Sequence, residues 1–216
     1  MAKKIYLSPS EQPENLYAYG DTNEKVQCKR ISAAAAEALK RCGFEVINAT
    51  STSLSVRCQE SNKWGADLHV PIHTNAYNGQ VSGTRILCYS LTGKGYKASK
   101  AVFDTLAPIT PGKSENVSAA PGLYEVKNTK APCVYIEVDF HDVPDVAKWI
   151  IEHTVEIGEA ICKGICNYYG VMYKVAPAAD ANMIYKVQVG AFRSMQNAVN
   201  LRDELRKKGY DAIIVG

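Results

Sequence analysis

No run of apolar residues in this chain approaches the roughly 18 that a membrane-spanning helix needs, so the sequence predicts no spanning segment. It also lacks a secretory leader. Met1-Ala2-Lys3-Lys4 passes directly into the short apolar stretch Ile5-Tyr6-Leu7, whereas an export signal carries a longer hydrophobic region. Synthesis in the cytoplasm is therefore expected. Neither sign of charge dominates: 25 Lys and Arg face 22 Asp and Glu over 216 residues. That balance excludes a polybasic nucleic-acid binder and an acidic tail, and leaves little to anchor the chain on a membrane surface. Histidine is scarce, with four residues, and none stands at zinc-finger spacing from a cysteine. Cysteine is not scarce, but Cys28, Cys42, Cys58, Cys88, Cys133, Cys162 and Cys166 are odd in number and lie mostly in apolar or helical patterns. Reduced, buried thiols are expected rather than a disulfide framework. Cys162 and Cys166, four apart on an expected helix, read as core packing.

What is present is an ordinary globular composition, 46% apolar and 22% charged. The length suits one full domain with a small appendage. The charge is unevenly placed. Residues 184–216 carry six basic against three acidic groups, leaving 19 against 19 in the remainder. The whole net charge of +3 thus sits in the last 33 residues.

Along the chain, a strand is expected at 4–8, then a turn through Ser8-Pro9-Ser10-Glu11-Gln12-Pro13. A helix capped by Thr22 or Asn23 follows, with Ile31, Ala34, Ala35, Ala38 and Leu39 on one face and Gly43 closing it. Next come a strand from Phe44, a helix over 54–64, strands at 67–73 and 84–89, and a helix over 95–106. A Pro-, Gly- and Ser-rich loop covers 108–122. Strands are expected at 123–127 and 133–140, the latter nearly continuous in β-formers. One long helix should run from Pro144 to Gly170. Alternating strands and helices predict an α/β domain with a largely parallel central sheet flanked by helices. Residues 174–183 read as a linker, and 184–216 as a small βαβ unit: a strand at 185–189, a helix at 194–208 and a strand at 212–215. The domains are thus 1–173 and 184–216.

Sites in such sheets gather at the C-terminal ends of strands. His69 and His73 share a strand, but residues four apart on it are about 13 Å apart and cannot share one metal. His73, nearer the strand end and followed by Thr74-Asn75, is the functional candidate, and His69 the structural one. His153 reads as an exposed mid-helix residue. Glu137 lies within an apolar run, where burial raises a carboxyl pKa and suits it to general base or acid catalysis, or else pairs it in a salt bridge. Asp139 and His141 follow it on the same face. Histidine with carboxylate ligands and an open position is the pattern of catalytic zinc.

Pro71-Ile72-His73-Thr74-Asn75-Ala76 resembles the Ser-Ile-His-Ala-Asn-Ala strand of zinc-dependent N-acetylmuramoyl-L-alanine amidases. The resemblance extends back through Arg57, Asn62 and Gly65-Ala66-Asp67 and forward through Gly83, Tyr89, Leu123-Tyr124-Glu125-Val126-Lys127-Asn128-Thr129 and Pro132. It closes on Ile136-Glu137-Val138-Asp139-Phe140, covering residues 4–171. It implies a Zn²⁺ cofactor, Glu24 and His73 as zinc ligands, Glu137 as the catalytic proton carrier, Lys127 as a catalytic cation, and Asn75 and Asn128 as substrate contacts. The substrate it implies is peptidoglycan, cut between N-acetylmuramic acid and L-alanine. One departure stands out. Where the family has a ligand His in an Asp-Pro-Gly-His-Gly turn, this chain has Ser8-Pro9-Ser10-Glu11-Gln12, so the first ligand falls to Glu11, to Gln12 or to His141 swinging in, or else the site is left with two ligands, weakened or absent. A non-catalytic peptidoglycan binder on the same fold is the alternative.

Tyr185-Lys186-Val187-Gln188-Val189-Gly190-Ala191-Phe192, with Ala198, Leu201, Leu205 and Gly209, resembles the first half of a SPOR domain, a module that binds peptidoglycan glycan strands. A half-module implies a homodimer in which two copies complete one sheet. The expected role is that of an endolysin or autolysin, reaching the cell wall once the membrane is breached.

Overall fold

The structure, a computed structural model, describes residues 2–113, 116–177 and 187–215. The chain divides into two compact units, residues 1–176 and 177–216.

In the first unit, strands β1 (Lys4–Pro9), β2 (Glu45–Asn48), β3 (Leu68–Asn75), β4 (Arg85–Cys88), β5 (Val117–Ala119) and β6 (Tyr135–Phe140) form one sheet in the order β2-β1-β3-β6-β4-β5. The pairings β1–β2, β1–β3, β3–β6 and β4–β5 are parallel, and β4–β6 is antiparallel. The largely parallel α/β sheet predicted from sequence is therefore present. Helices α1 (Glu24–Arg41), α2 (Leu54–Trp64) and α3 (Gly93–Leu106) follow β1, β2 and β4, and α4 (Tyr124–Asn128) follows β5. Helices α5 (Pro144–Glu152) and α6 (Thr154–Tyr169) follow β6. The apolar stripe foreseen on α1 is buried: Ile31, Ala35, Ala38 and Leu39 are fully covered, and they join Ile5, Leu7, Val70, Ile136, Ile157 and Ile161 in one core. Burying each large aliphatic side chain contributes on the order of 2 kcal/mol. The sequence order β1-α1-β2 and then α2-β3 places β2 and β3 on opposite sides of β1, so the chain reverses direction at β1. Crevices at such a point receive ligands.

Several expectations are corrected. The strand expected at 123–127 is instead a short helix, Tyr124–Asn128, because one helical turn sends Glu125 inward to His69 and Ser8. The 108–122 loop contains β5, which pairs along β4 at the sheet edge. The helix after Pro144 is broken at His153 (φ −109°, ψ 23°). There the ring stacks on Trp149 with Nδ1 2.8 Å from its carbonyl oxygen, and the Thr154 hydroxyl donates back to Ile150 and Ile151. His153 is thus a half-buried junction residue, not a mid-helix one. All seven cysteines are free and buried, as expected.

In the second unit, α7 (Met195–Lys207) forms with no buried residue. Among the described residues, 187–190 and 211–215 pair in no ladder, so the two flanking strands are absent there, and residues 185–186 lie outside the described residues. A strand needs a partner backbone to satisfy its N–H and C=O groups, and none is offered within the described part of this unit. Most of the linker at 174–183 also lies outside the described residues.

Candidate active site

The turn after β1 leads to α1, whose N-terminus is set by Asn23: its side-chain oxygen accepts from Val26 N at 3.1 Å. Glu24, the next residue, sits where a helix dipole favours an acid. It is nevertheless 1% exposed, because it turns inward to the end of β3. Its Oε1 lies 2.8 Å from His73 Nδ1 and 3.4 Å from Thr74 N, and its Oε2 accepts from Asn15 Nδ2 at 2.5 Å. Burial works to raise the Glu24 pKa, but hydrogen bonds with His73, Asn15 and Ser10 outweigh it and hold the carboxyl below its usual range. Burial likewise disfavours the His73 imidazolium, yet the Glu24 hydrogen bond and the charge of Glu137 raise its pKa overall. The His73 ring is fixed by stacking on Tyr135, with centroids 4.6 Å apart.

Glu137 is the cross-strand partner of His73 on one side and of Arg85 on the other. The three side chains form a row across β3, β6 and β4, because opposed residues share a face. Glu137 is part-buried, and its Oε2 is sealed from solvent with no hydrogen-bond partner. Burial pushes its pKa up to about 7; the Glu24 charge adds to this, and His73 and Arg85 oppose it. A carboxyl poised near neutrality with a free oxygen has the properties of a general base.

Glu24 and His73 offer one oxygen and one nitrogen donor in contact, the ligand chemistry zinc accepts. Among the described residues, no third His, Cys, Asp or Glu donor joins them within 4.8 Å. Glu11 is engaged elsewhere, paired with Lys25 at 2.7 Å, Lys29 at 2.6 Å and Arg57 at 3.3 Å. Gln12 accepts through Oε1 from Asn15 Nδ2 at 2.9 Å, one residue removed from Glu24. His141 has Nδ1 3.0 Å from Thr74 Oγ1 and stacks on Tyr17. Glu24 and His73 thus supply two of the three protein donors that a catalytic zinc takes.

The remaining candidates are dispersed. Lys127 is exposed on α4 and lines a cleft of about 520 Å³ with Tyr89, Thr92, Lys94 and Lys130, a cleft that none of Glu24, His73 or Glu137 lines. Asn128 donates to Tyr124 O at 2.7 Å, and its carbonyl accepts from Asn62 Nδ2 at 2.9 Å, so it is committed to holding α4. Asn75 ends β3, where its carbonyl accepts from His141 N at 2.8 Å. Asp139 does not join the carboxylate cluster. It is fully buried and accepts from Gly83 N at 2.6 Å and Phe140 N at 2.8 Å, which fixes the loop before β4. His69 is structural as expected, fully buried between Ser61 (3.0 Å) and Glu125 (3.1 Å). Sequence reading missed Arg85, Tyr135 and Asn15. Tyr135, two residues before Glu137 on the same strand, carried a signal in the period of the strand; Arg85 and Asn15 carried none.

A family profile described as N-acetylmuramoyl-L-alanine amidase matches residues 12–167, and a SPOR domain profile matches residues 182–216. The chain is 25% identical over 166 residues to N-acetylmuramoyl-L-alanine amidase CwlM of Bacillus licheniformis, covering 76% of this chain and 63% of that protein. It is 23% identical over 163 residues to a sporulation-specific N-acetylmuramoyl-L-alanine amidase of Bacillus subtilis (strain 168), covering 76% and 62%. The chain therefore spans a little over three-fifths of the length of these relatives. Among solved structures, the catalytic domain of CwlV, an N-acetylmuramoyl-L-alanine amidase from Bacillus (Paenibacillus) polymyxa var. colistinus, superposes with a TM-score of 0.72 at 16% identity, covering 79% of this chain and 99% of that domain. At that identity the likeness speaks for the fold.

Proposed function

Because the chain belongs to the N-acetylmuramoyl-L-alanine amidase family, we propose that it hydrolyses the amide between N-acetylmuramic acid and the L-alanine of the peptidoglycan stem peptide. The observation that carries this reading is the row formed by the Glu24–His73 pair and Glu137, with one Glu137 oxygen unpartnered and its pKa pushed up to about 7. Glu24 and His73 would hold Zn²⁺, which when bound supplies a Lewis acid for water and for the scissile carbonyl. Asn15 orients the Glu24 carboxylate, and Tyr135 holds the His73 ring in plane. The Glu137 carboxylate takes the proton of the attacking water and returns it to the leaving amine nitrogen. Lys127, on the exposed face of α4, suits a substrate carboxylate, and Asn75 borders the site from the end of β3.

The second unit, matched by the SPOR profile, would bind glycan strands of the same polymer, and its exposed Val187, Val189 and Ile213 suit pairing with a second copy. Among the described residues no helix is long and apolar enough to cross a membrane. Action on the wall after membrane breach, as in an endolysin or autolysin, is part of the proposal.

The test is incubation of the purified chain with cell wall in the presence of Zn²⁺, scoring new L-alanine amino termini. Glu137→Gln should lower the rate by about 10²–10⁴-fold with zinc content unchanged. No release by the wild type, with wall binding retained, would overturn hydrolysis and leave a binding protein.

A further inference from the structure

Cys42, Cys162 and Cys166 bring three sulfur atoms within 4.8 Å of one another, on the opposite chemistry from the oxygen and nitrogen donors of Glu24 and His73. Cys42 follows α1, while Cys162 and Cys166 lie one turn apart on α6. The Cys162 sulfur is 3.7 Å from that of Cys42 and 3.9 Å from that of Cys166. All three residues are at least 95% buried, with Cys42 at 5% exposure and the other two at zero. The spacing is that of ligands: with a metal–sulfur bond of about 2.3 Å, three sulfurs around one ion stand about 4 Å apart.

The surroundings also hold the cluster in place. Lys174 N donates to the Cys42 sulfur at 3.3 Å, and the segment carrying it is fastened by Arg41 Nε to Lys174 O at 2.9 Å and by the Tyr173 hydroxyl to Glu159 at 2.6 Å. Arg41, next to Cys42, brings a fixed positive charge that acts on Cys166. Without an ion, burial keeps Cys162 and Cys166 protonated: it raises Cys162 well above its usual range and Cys166 to about 11. They are therefore poor nucleophiles. A bound soft metal ion deprotonates a coordinating thiol outright.

We propose that Cys42, Cys162 and Cys166 form a second metal site, a closed three-thiolate centre for a soft cation of the Cu⁺ type. Thiolates select soft ions, and among the described residues no carboxylate or imidazole donor completes the cluster as a harder ion would require. Binding releases the thiol protons to solvent and ties the end of α1, helix α6 and the 171–176 segment at one point. The site is independent of the proposed hydrolysis, since none of its residues touches the Glu24–His73 pair.

The test is anaerobic titration of the full chain with Cu⁺ delivered from a coloured chelator. The wild type should withdraw about one equivalent. Cys42→Ser, which sits outside both helices, and Cys162→Ser with Cys166→Ser should withdraw none. Cys133→Ser should withdraw as much as the wild type. X-ray absorption on the loaded wild type, which needs no variant to fold, should give three sulfur neighbours at about 2.3 Å. Uptake that is absent, or equal in the wild type and the Cys42→Ser chain, would overturn the site. So would nitrogen or oxygen neighbours, or ready displacement of Cu⁺ by an equal concentration of Zn²⁺.

Discussion

Glu24 Oε1 meets His73 Nδ1 at 2.8 Å although 49 residues separate them, and neither residue is more than 7% exposed. The contact joins the first residue of α1 to the end of β3 across the crevice beside β1. A polar pair so deeply placed is held by its remaining partners, Asn15 on the carboxylate and Tyr135 on the ring.

Loss of a residue that hydrogen-bonds and orients a metal ligand typically costs 10–100-fold in metal affinity. Asn15→Ala should therefore weaken zinc binding by about 10–100-fold, and Glu24→Gln by more. Competition with a zinc-responsive dye measures both. Gln12→His, which adds an imidazole beside Asn15, should tighten binding; equal affinity would show that residue 12 does not reach the ion.

In metal-free protein, Glu137 predicts a stability that falls with rising pH. Its folded pKa is about 7 against an ordinary value of 4.5, so between these values the folded state binds more protons than the unfolded state. Stability from this group is full below about pH 4.5 and lost as pH rises through about 7, a change of about 3 kcal/mol. Urea midpoints of wild type and Glu137→Gln, compared at pH 5 and pH 8, should show the variant gaining relative stability at the higher pH.

Two glycines on α6 hold close helix contacts. A Cβ on Gly158 would meet Ala34 Cβ and Ala35 N at 2.7 Å, and one on Gly164 would meet Val102 Cα at 2.5 Å. Gly158→Ala and Gly164→Ala should each destabilise by about 1–3 kcal/mol, despite the better helix propensity of alanine. Thermal melts check this; an unchanged midpoint would mean that α1 or α3 moves aside freely.

The segregation of charge predicts different salt responses for the two units. Residues 184–216 hold the entire excess of positive charge, and exposed charges are screened by salt. Raising salt should weaken retention on cell wall much more than it slows cleavage of a small soluble muramyl peptide. Equal sensitivity would argue against this division.

The sequence by itself determined the elements whose signal is local. The helix expected over roughly 54–64 forms there, with Ser53 capping it and Gly65 ending it in the left-handed region, at φ 70°. β3 and β6 follow from dense β-formers, and His73 and Glu137 from polar groups stranded in apolar runs. Tertiary structure decided what depends on partners distant in the chain. Tyr124–Asn128 alternates like a strand but becomes a helix because Glu125 is drawn to His69 and Ser8. Glu11, one of the residues aligned with a ligand, is instead held by Lys25, Lys29 and Arg57. Cys162 and Cys166 looked like packing until Cys42, 120 residues away, completed the cluster. Local patterns are written within a few residues of backbone, whereas a site is a set of distances between segments, and those exist only once the sheet has paired and the helices have packed.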